Sequence, residues 1–170
     1  MERKILSIQE DILVKVLFVC LGNICRSAIA EGVFRDLVEQ AELSEKIQVD
    51  SCGTGSFHTG ETPDPRSIEA CAAREIDISN LRARQIRNTD FEKFDYVIAM
   101  DEDNVQALQA VCPFQYEERI HLFLEMTEYM GTREVPDPYY GTGQGFERVL
   151  NLIERASKRL LESICENDLK

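Results

Sequence analysis

Apolar residues along this chain fall into two rhythms. Val14 to Val19 (VKVLFV) is a nearly continuous, valine-rich run, the pattern of a strand covered on both faces. It breaks into a short polar turn, and from Ser27 onward Ala30, Val33, Phe34, Leu37 and Val38 recur at helical spacing. Shorter runs at Ile47 to Asp50, Tyr96 to Met100 and Ile120 to Leu124 read as three more strands. Between them, helices are predicted at about 27–40, 66–76, 89–94 and 102–111. A long final helix is predicted from Gly145 to Ser163, where Phe146, Val149, Leu150, Ile153, Ala156 and Leu160 make one apolar stripe. Residues 124–145, rich in Gly, Pro and turn formers, read as a long loop, and such loops are often functional.

Strands alternating with helices predict an α/β fold, a four-stranded parallel sheet with helices on both faces. A polar turn directly after the first strand suits a flavodoxin-like, Rossmann-like arrangement, in which ligands sit at the carboxyl ends of the strands. No repeat, low-complexity tract or linker divides the 170 residues. One domain is therefore expected over 13–170, preceded by an N-terminal extension at 1–12.

Composition narrows the classes. Hydrophobic content of 44% and charged content of 29% are those of a soluble globular protein. No apolar run approaches the roughly 20 residues of a membrane span, and MERKILSIQEDILVKV is too broken by charge for a signal peptide. A cytoplasmic protein with no membrane partner is expected. The six cysteines (20, 25, 52, 71, 112 and 165) lack paired Cys-x2-Cys spacing, so they read as free thiols, with no metal and no other cofactor. The net charge of −12 argues against nucleic acid and predicts slow encounter with acidic phosphopeptides at low salt. Arg82, Arg84 and Arg87 either line part of a binding rim or form a solvated face. Neither histidine has a catalytic setting: His58 could touch the rim of a site, and His121 falls in a strand pattern.

The candidate chemistry lies in the turn after the first strand, CLGNICRS, Cys20 to Ser27. Strand, turn and helix start together make an oxyanion site from backbone N–H groups and the helix dipole. Arg26 can grip two oxygens side by side, where a lysine would supply charge without the fork. The same positive field holds Cys20 as a reactive thiolate. A nucleophile and an anion cradle in one turn point to attack on phosphorus. Asn23 is expected in a left-handed conformation that closes the loop, with Gly22 giving the backbone room. Ser27 is either an ordinary helix cap or a hydrogen-bond donor to the Cys20 sulfur, and one hydroxyl can do both. Cys25 is either a small buried residue or a resolving thiol that traps oxidised Cys20 as a disulfide. Expelling the oxygen of a phosphate ester also needs an acid. Asp137, stiffened by Pro136 and Pro138 in the long loop, is the candidate, though Asp between prolines is commonly a turn residue. Phe57 and Tyr139 are candidates for the two walls of an aryl slot, with Leu21 at the edge of its floor.

CLGNICRS resembles the signature of the low-molecular-weight protein tyrosine phosphatases, and three further segments resemble that family in the same order. They are VDSCGTG at Val49 to Gly55, PDPRS at Pro63 to Ser67 and PDPYYG at Pro136 to Gly141, within a similarity covering about 14–165. The loop with a distant DPYY is highly specific; PDPRS alone carries little. The resemblance implies sheet order 2-1-3-4 and hydrolysis of phosphotyrosine in proteins, or of small aryl phosphates, with inorganic phosphate as product. In it Cys20 is the nucleophile of a cysteinyl-phosphate intermediate, Arg26 binds phosphate, and Asp137 serves as acid and then as base. Leu21, Gly22, Asn23, Ile24, Cys25, Ser27, Phe57 and Tyr139 become substrate-binding candidates, Asn23 and Ser51 support the loop, and Cys25 has a redox role. A monomer or weak dimer is expected. Relatives on this fold that favour phosphoarginine carry a small polar residue at the position of Ile24, which points this chain back to phosphotyrosine.

Two departures stand out. Ala28 replaces the usual Pro after the loop Ser. Leu81 replaces a His that helps hold the loop Asn, and Asn80 is the nearest candidate to compensate. Two alternatives remain at this point. Arsenate reductases share the fold and loop but want a closely spaced relay of further cysteines, and Cys71 and Cys112 lie far apart. A non-catalytic anion-binding module would not need Cys20, Arg26 and Asp137 together.

Overall fold

A computed structural model describes residues 11–141 and 144–170. Residues 1–10 of the expected N-terminal extension lie outside the described residues. Four parallel strands, β1 (Val14–Cys20), β2 (Ile47–Gly53), β3 (Tyr96–Ala99) and β4 (Ile120–Leu122), form one sheet in the order β2-β1-β3-β4. This is the 2-1-3-4 order. Among the described residues, five α-helices accompany them: α1 (Arg26–Gln40), α2 (Pro65–Ala72), α3 (Asn88–Lys93), α4 (Glu102–Val111) and α5 (Gln144–Asn167).

Alternation along β1 explains why that run is apolar throughout. Val14, Val16, Phe18 and Cys20 join the core beneath α1 and α5, while Leu17 and Val19 join Phe91, Phe94 and Leu108 on the other face. Phe18 is fully buried between Phe34, 5.6 Å away by ring centroid, and Phe123, 5.2 Å away. An aromatic so placed stabilises the fold by about 3–5 kcal/mol relative to alanine.

Register brings the carboxyl ends of three strands together, with Cys20 opposite Gly53 and Val19 opposite Ala99. Everything chemical described below sits along this edge.

Some boundaries differ from the sequence pattern. β2 runs to Gly53, past the predicted Asp50, because its last residues pair with β1 right up to Cys20. The fourth strand stops at Leu122, and Phe123–Met126 curls into a 3₁₀ turn that buries Phe123 and Leu124. The second helix ends at Ala72, where the chain turns through Glu75 at φ 60° and the Ile76 amide closes on the Cys71 carbonyl. α5 outruns its prediction because Ile164 prolongs the apolar stripe by another turn. A 3₁₀ segment at Phe114–Arg119, opened by Pro113, was not legible in the pattern.

Candidate active site

The chain leaves β1 at Cys20 and enters α1 at Arg26, so the loop between them is short and sharply curved. Asn23 turns it with φ 58°, the left-handed conformation that Asn tolerates better than most side chains. Its amide N–H donates to the Cys20 sulfur at 3.3 Å. Among the described residues, the amides of Gly22, Ile24 and Cys25 donate to no other backbone group. An oxyanion above the loop is therefore the natural acceptor for them.

Behind the loop the hydrogen bonds have a fixed sense. The Asn23 side-chain amide donates to Ser27 Oγ at 2.8 Å and to Ser51 Oγ at 2.9 Å. Its carbonyl oxygen accepts the Arg84 backbone N–H at 3.0 Å. With Ser27 already accepting, its own proton is free for the Cys20 sulfur 3.0 Å away. The Ser51 hydroxyl donates in turn to Glu31 Oε1 at 2.7 Å. Burial pushes the Glu31 carboxyl above its ordinary range, opposed by the Arg35 guanidinium and by the Ser51 hydroxyl. Glu31 was not foreseen; its signal is a lone acidic residue on the apolar face of α1.

Leu81 packs against the core, and Asn80 is exposed. The loop Asn23 carbonyl takes its hydrogen bond from the Arg84 backbone N–H and not from Asn80. That amide is fixed because the Arg84 side chain pairs with Asp90 at 2.9 Å and Asp50 at 3.1 Å. Arg84 is thus neither rim nor solvated face. Arg82 folds onto the carbonyls of Ser79 and Leu81, and none of Arg82, Arg84 and Arg87 lines the cavity over Cys20.

β2 supports the loop from below. The Thr54 and Gly55 amides donate to the carbonyls of Cys20 and Leu21 at 2.9 and 3.0 Å. A Cβ on Gly53 would lie 2.6 Å from the Leu21 carbonyl oxygen, closer than real contacts permit. Gly53→Ala is therefore expected to displace the loop and lower kcat/KM for aryl phosphates by about 10²-fold, since a shift of about 1 Å costs that much. Activity within about threefold of the parent would show that the loop does not need this close approach.

Arg26 is nearly fully buried. One nitrogen, Nη1, donates to Asp101 Oδ2 at 2.6 Å and to the Val135 carbonyl at 3.0 Å. The other, Nη2, stands 3.6 Å from Asp137 Oδ2. Burial alone would lower the Arg26 pKa, but the charges at Cys20, Asp101 and Asp137 outweigh it and raise the pKa above the ordinary value. Asp101 is held in turn by α4, whose Asn104 amide donates to its Oδ1 at 2.8 Å. Sequence reasoning missed Asp101. The signal was its place at the carboxyl end of β3, where ligands of such sheets gather.

A cavity of about 330 Å³ opens over Cys20. Loop residues Leu21, Gly22, Ile24, Cys25 and Arg26 line its base, Phe57 and His58 one side, and Asp137, Tyr139 and Tyr140 the rest. Of the predicted site residues, Asn23, Ser27 and Ser51 do not line it; they are buried behind the loop. Phe57, 77% exposed, projects freely and Tyr139 is 38% exposed, so the two walls are open to solvent. His58 does reach the rim, its Nδ1 2.7 Å from Glu61, while His121 lies on β4 against Tyr96. Ala28 is buried within an unbroken α1.

The thiols divide clearly. Cys20 and Cys25 share the cavity, and burial, then the charge of Asp64, push the Cys25 thiol up to about 12. Cys71 is buried under α1 and α5, whereas Cys112 borders the core on the opposite face of the sheet. Those two cannot relay electrons to each other. Among the described residues, no group of three or more His, Cys, Asp or Glu side chains is placed to hold a metal ion.

Comparison with known proteins agrees with this geometry. The family model for low molecular weight phosphotyrosine protein phosphatase matches residues 15–169. A putative low molecular weight protein-tyrosine-phosphatase of Synechocystis is 46% identical over 151 residues, covering 88% of this chain and 96% of that protein. The low molecular weight phosphotyrosine protein phosphatase of Schizosaccharomyces pombe is 42% identical, covering 89% and 97%. Among solved structures, a protein tyrosine phosphatase from Entamoeba histolytica with Hepes in its active site superposes with a TM-score of 0.87 at 40% identity, covering 90% of this chain and 97% of that one.

Proposed function

The chain belongs to the low molecular weight phosphotyrosine protein phosphatase family and is a protein tyrosine phosphatase, and from that premise we propose how its own residues divide the reaction. The Cys20 thiolate attacks phosphorus in line with the aryl oxygen, forming an S–P bond as the P–O bond breaks. Asp137 gives its proton to the departing oxygen, so a neutral phenol leaves. In the second step Asp137 takes a proton from water, the water oxygen attacks phosphorus, and the S–P bond breaks to return the thiolate and inorganic phosphate.

Arg26 and the loop amides hold the equatorial oxygens and the charge that grows on them. Ser27, donating to sulfur, makes Cys20 a better leaving group in the second step. Phe57 and Tyr139 flank the ring of the substrate, and Ile24 gives the cavity an apolar base that suits an aryl phosphate better than a guanidino one. Cys25, in the same cavity, is the resolving thiol for a sulfenic acid at Cys20, closing a disulfide with loss of water. Six free cysteines fit a reducing, cytoplasmic setting, and no helix among the described residues is long and apolar enough to cross a membrane. Every side chain invoked comes from a single chain, so a monomer or weak dimer suffices.

One observation carries this division of labour: Arg26 Nη2 lies 3.6 Å from Asp137 Oδ2 in the cavity that Cys20 also lines. Rapid mixing with 4-nitrophenyl phosphate is expected to release a burst of about one phenol per chain before the steady rate. Denaturation during turnover should leave phosphorus on Cys20. Linear release with no phosphorylated sulfur, or thioredoxin-coupled arsenate reduction at a comparable rate, would overturn the route.

A further inference from the structure

We propose that Arg66 is a positioning residue for the leaving-group step, a strut that ties the acid-bearing loop to the phosphate loop and sets which Asp137 oxygen faces the substrate. The inference rests on Asp137 being the proton donor. Arg66 belongs to the PDPRS segment, to which the chemistry above assigns no role.

Asp64 is one end of the strut. Its backbone N–H donates to the Ile24 carbonyl at 2.8 Å, fastening it to the phosphate loop. Its carboxylate accepts two parallel hydrogen bonds from the Arg66 guanidinium, Nε to Oδ1 at 2.9 Å and Nη2 to Oδ2 at 2.8 Å. Hydrogen bonds from Arg66 keep the Asp64 carboxyl below its ordinary range despite burial, so the pair stays ionised into acid. The flanking Pro63 and Pro65 restrict the backbone on which Asp64 sits.

The other end is the acid loop. Arg66 Nη1 donates to the Tyr139 carbonyl at 3.2 Å, and its guanidinium lies over two rings, Phe146 at 4.6 Å and Tyr139 at 5.5 Å. The same Tyr139 donates its N–H to Asp137 Oδ1 at 3.0 Å. That contact occupies Oδ1 and leaves Oδ2 turned towards Arg26. Oδ2 is therefore the atom that carries the transferred proton, and the Tyr139 backbone is gripped from both sides to keep it there. A further contact within the segment, the Arg66 backbone N–H to Asp64, caps α2 without any help from the guanidinium. The side chain does not line the cavity, so it reaches the acid through the Tyr139 backbone.

Arg66→Met and Arg66→Lys, each in the parent and in an Asp137→Ala background, test this with two esters. Phenyl phosphate needs a proton on its leaving oxygen; 2,4-dinitrophenyl phosphate does not. Arg66→Met is expected to lower kcat/KM about tenfold or more on the first and less than about twofold on the second. Arg66→Lys, which keeps the charge but loses the fork and the flat stack, should fall between parent and Met. In the Asp137→Ala background the Arg66→Met loss on phenyl phosphate should shrink below about twofold, because the group it positions is gone. Equal losses on both esters, or an undiminished loss in that background, would overturn the strut. An Asp137→Ala enzyme with no preference between the esters would overturn the acid assignment itself, and the strut with it.

Discussion

Cys20→Ser is expected to cut turnover of aryl phosphates by at least about 10⁴-fold while phosphate still binds within about threefold of the parent. The substitution exchanges one atom for a smaller one and leaves the cradle in place. Asn23 is still held by Ser51, Ser27 and the Arg84 amide, and Arg26 by Asp101 and Val135. What disappears is the sulfur nucleophile, because an alcohol is a far weaker acid and a poorer nucleophile than a thiol at neutral pH. Steady-state rates together with calorimetric phosphate titration separate the two effects. Turnover near the parent rate would exclude Cys20 as the attacking group.

Asp137→Ala should produce the second largest loss, and an unequal one. For phenyl phosphate, whose leaving oxygen needs a proton, kcat/KM is expected to fall by about 10²–10⁴; for a dinitrophenyl ester, by less than about tenfold. The asymmetry follows from position: Asp137 reaches the cavity from above, with one oxygen spoken for by Tyr139 and the other beside Arg26. A loss that ignores leaving-group acidity would make Asp137 a phosphate-site support only.

The part of this site that sequence made legible is the part that is local. Strand, loop and helix from Val14 to Gln40 are contiguous, so nucleophile, fork and anion cradle appear as one pattern. Asp137 was legible because its neighbours complete a motif. Asp101, Glu31 and Arg66 were not, since each matters through a partner on a distant segment: Arg26 for Asp101, Ser51 for Glu31, and Tyr139 for Arg66. Arg84 marks the hardest limit. Its contribution to Asn23 is a backbone N–H, a group that nearly every residue carries, so no side-chain type could announce it. Its guanidinium, which looked available for a ligand, is used on Asp50 and Asp90. The short 3₁₀ segments were lost for a related reason: one turn has too few residues to set a period.

β1 lies inside the sheet, and the loop at its tip is braced from both sides, Arg84 holding Asn23 on one and Asp101 and Val135 holding Arg26 on the other. Arg26 therefore reaches its working position only when the segments bearing Asp101 and Val135 have docked. The first strand, loop and helix carry nucleophile and fork in one contiguous piece, yet that piece by itself would be a chemically idle fragment.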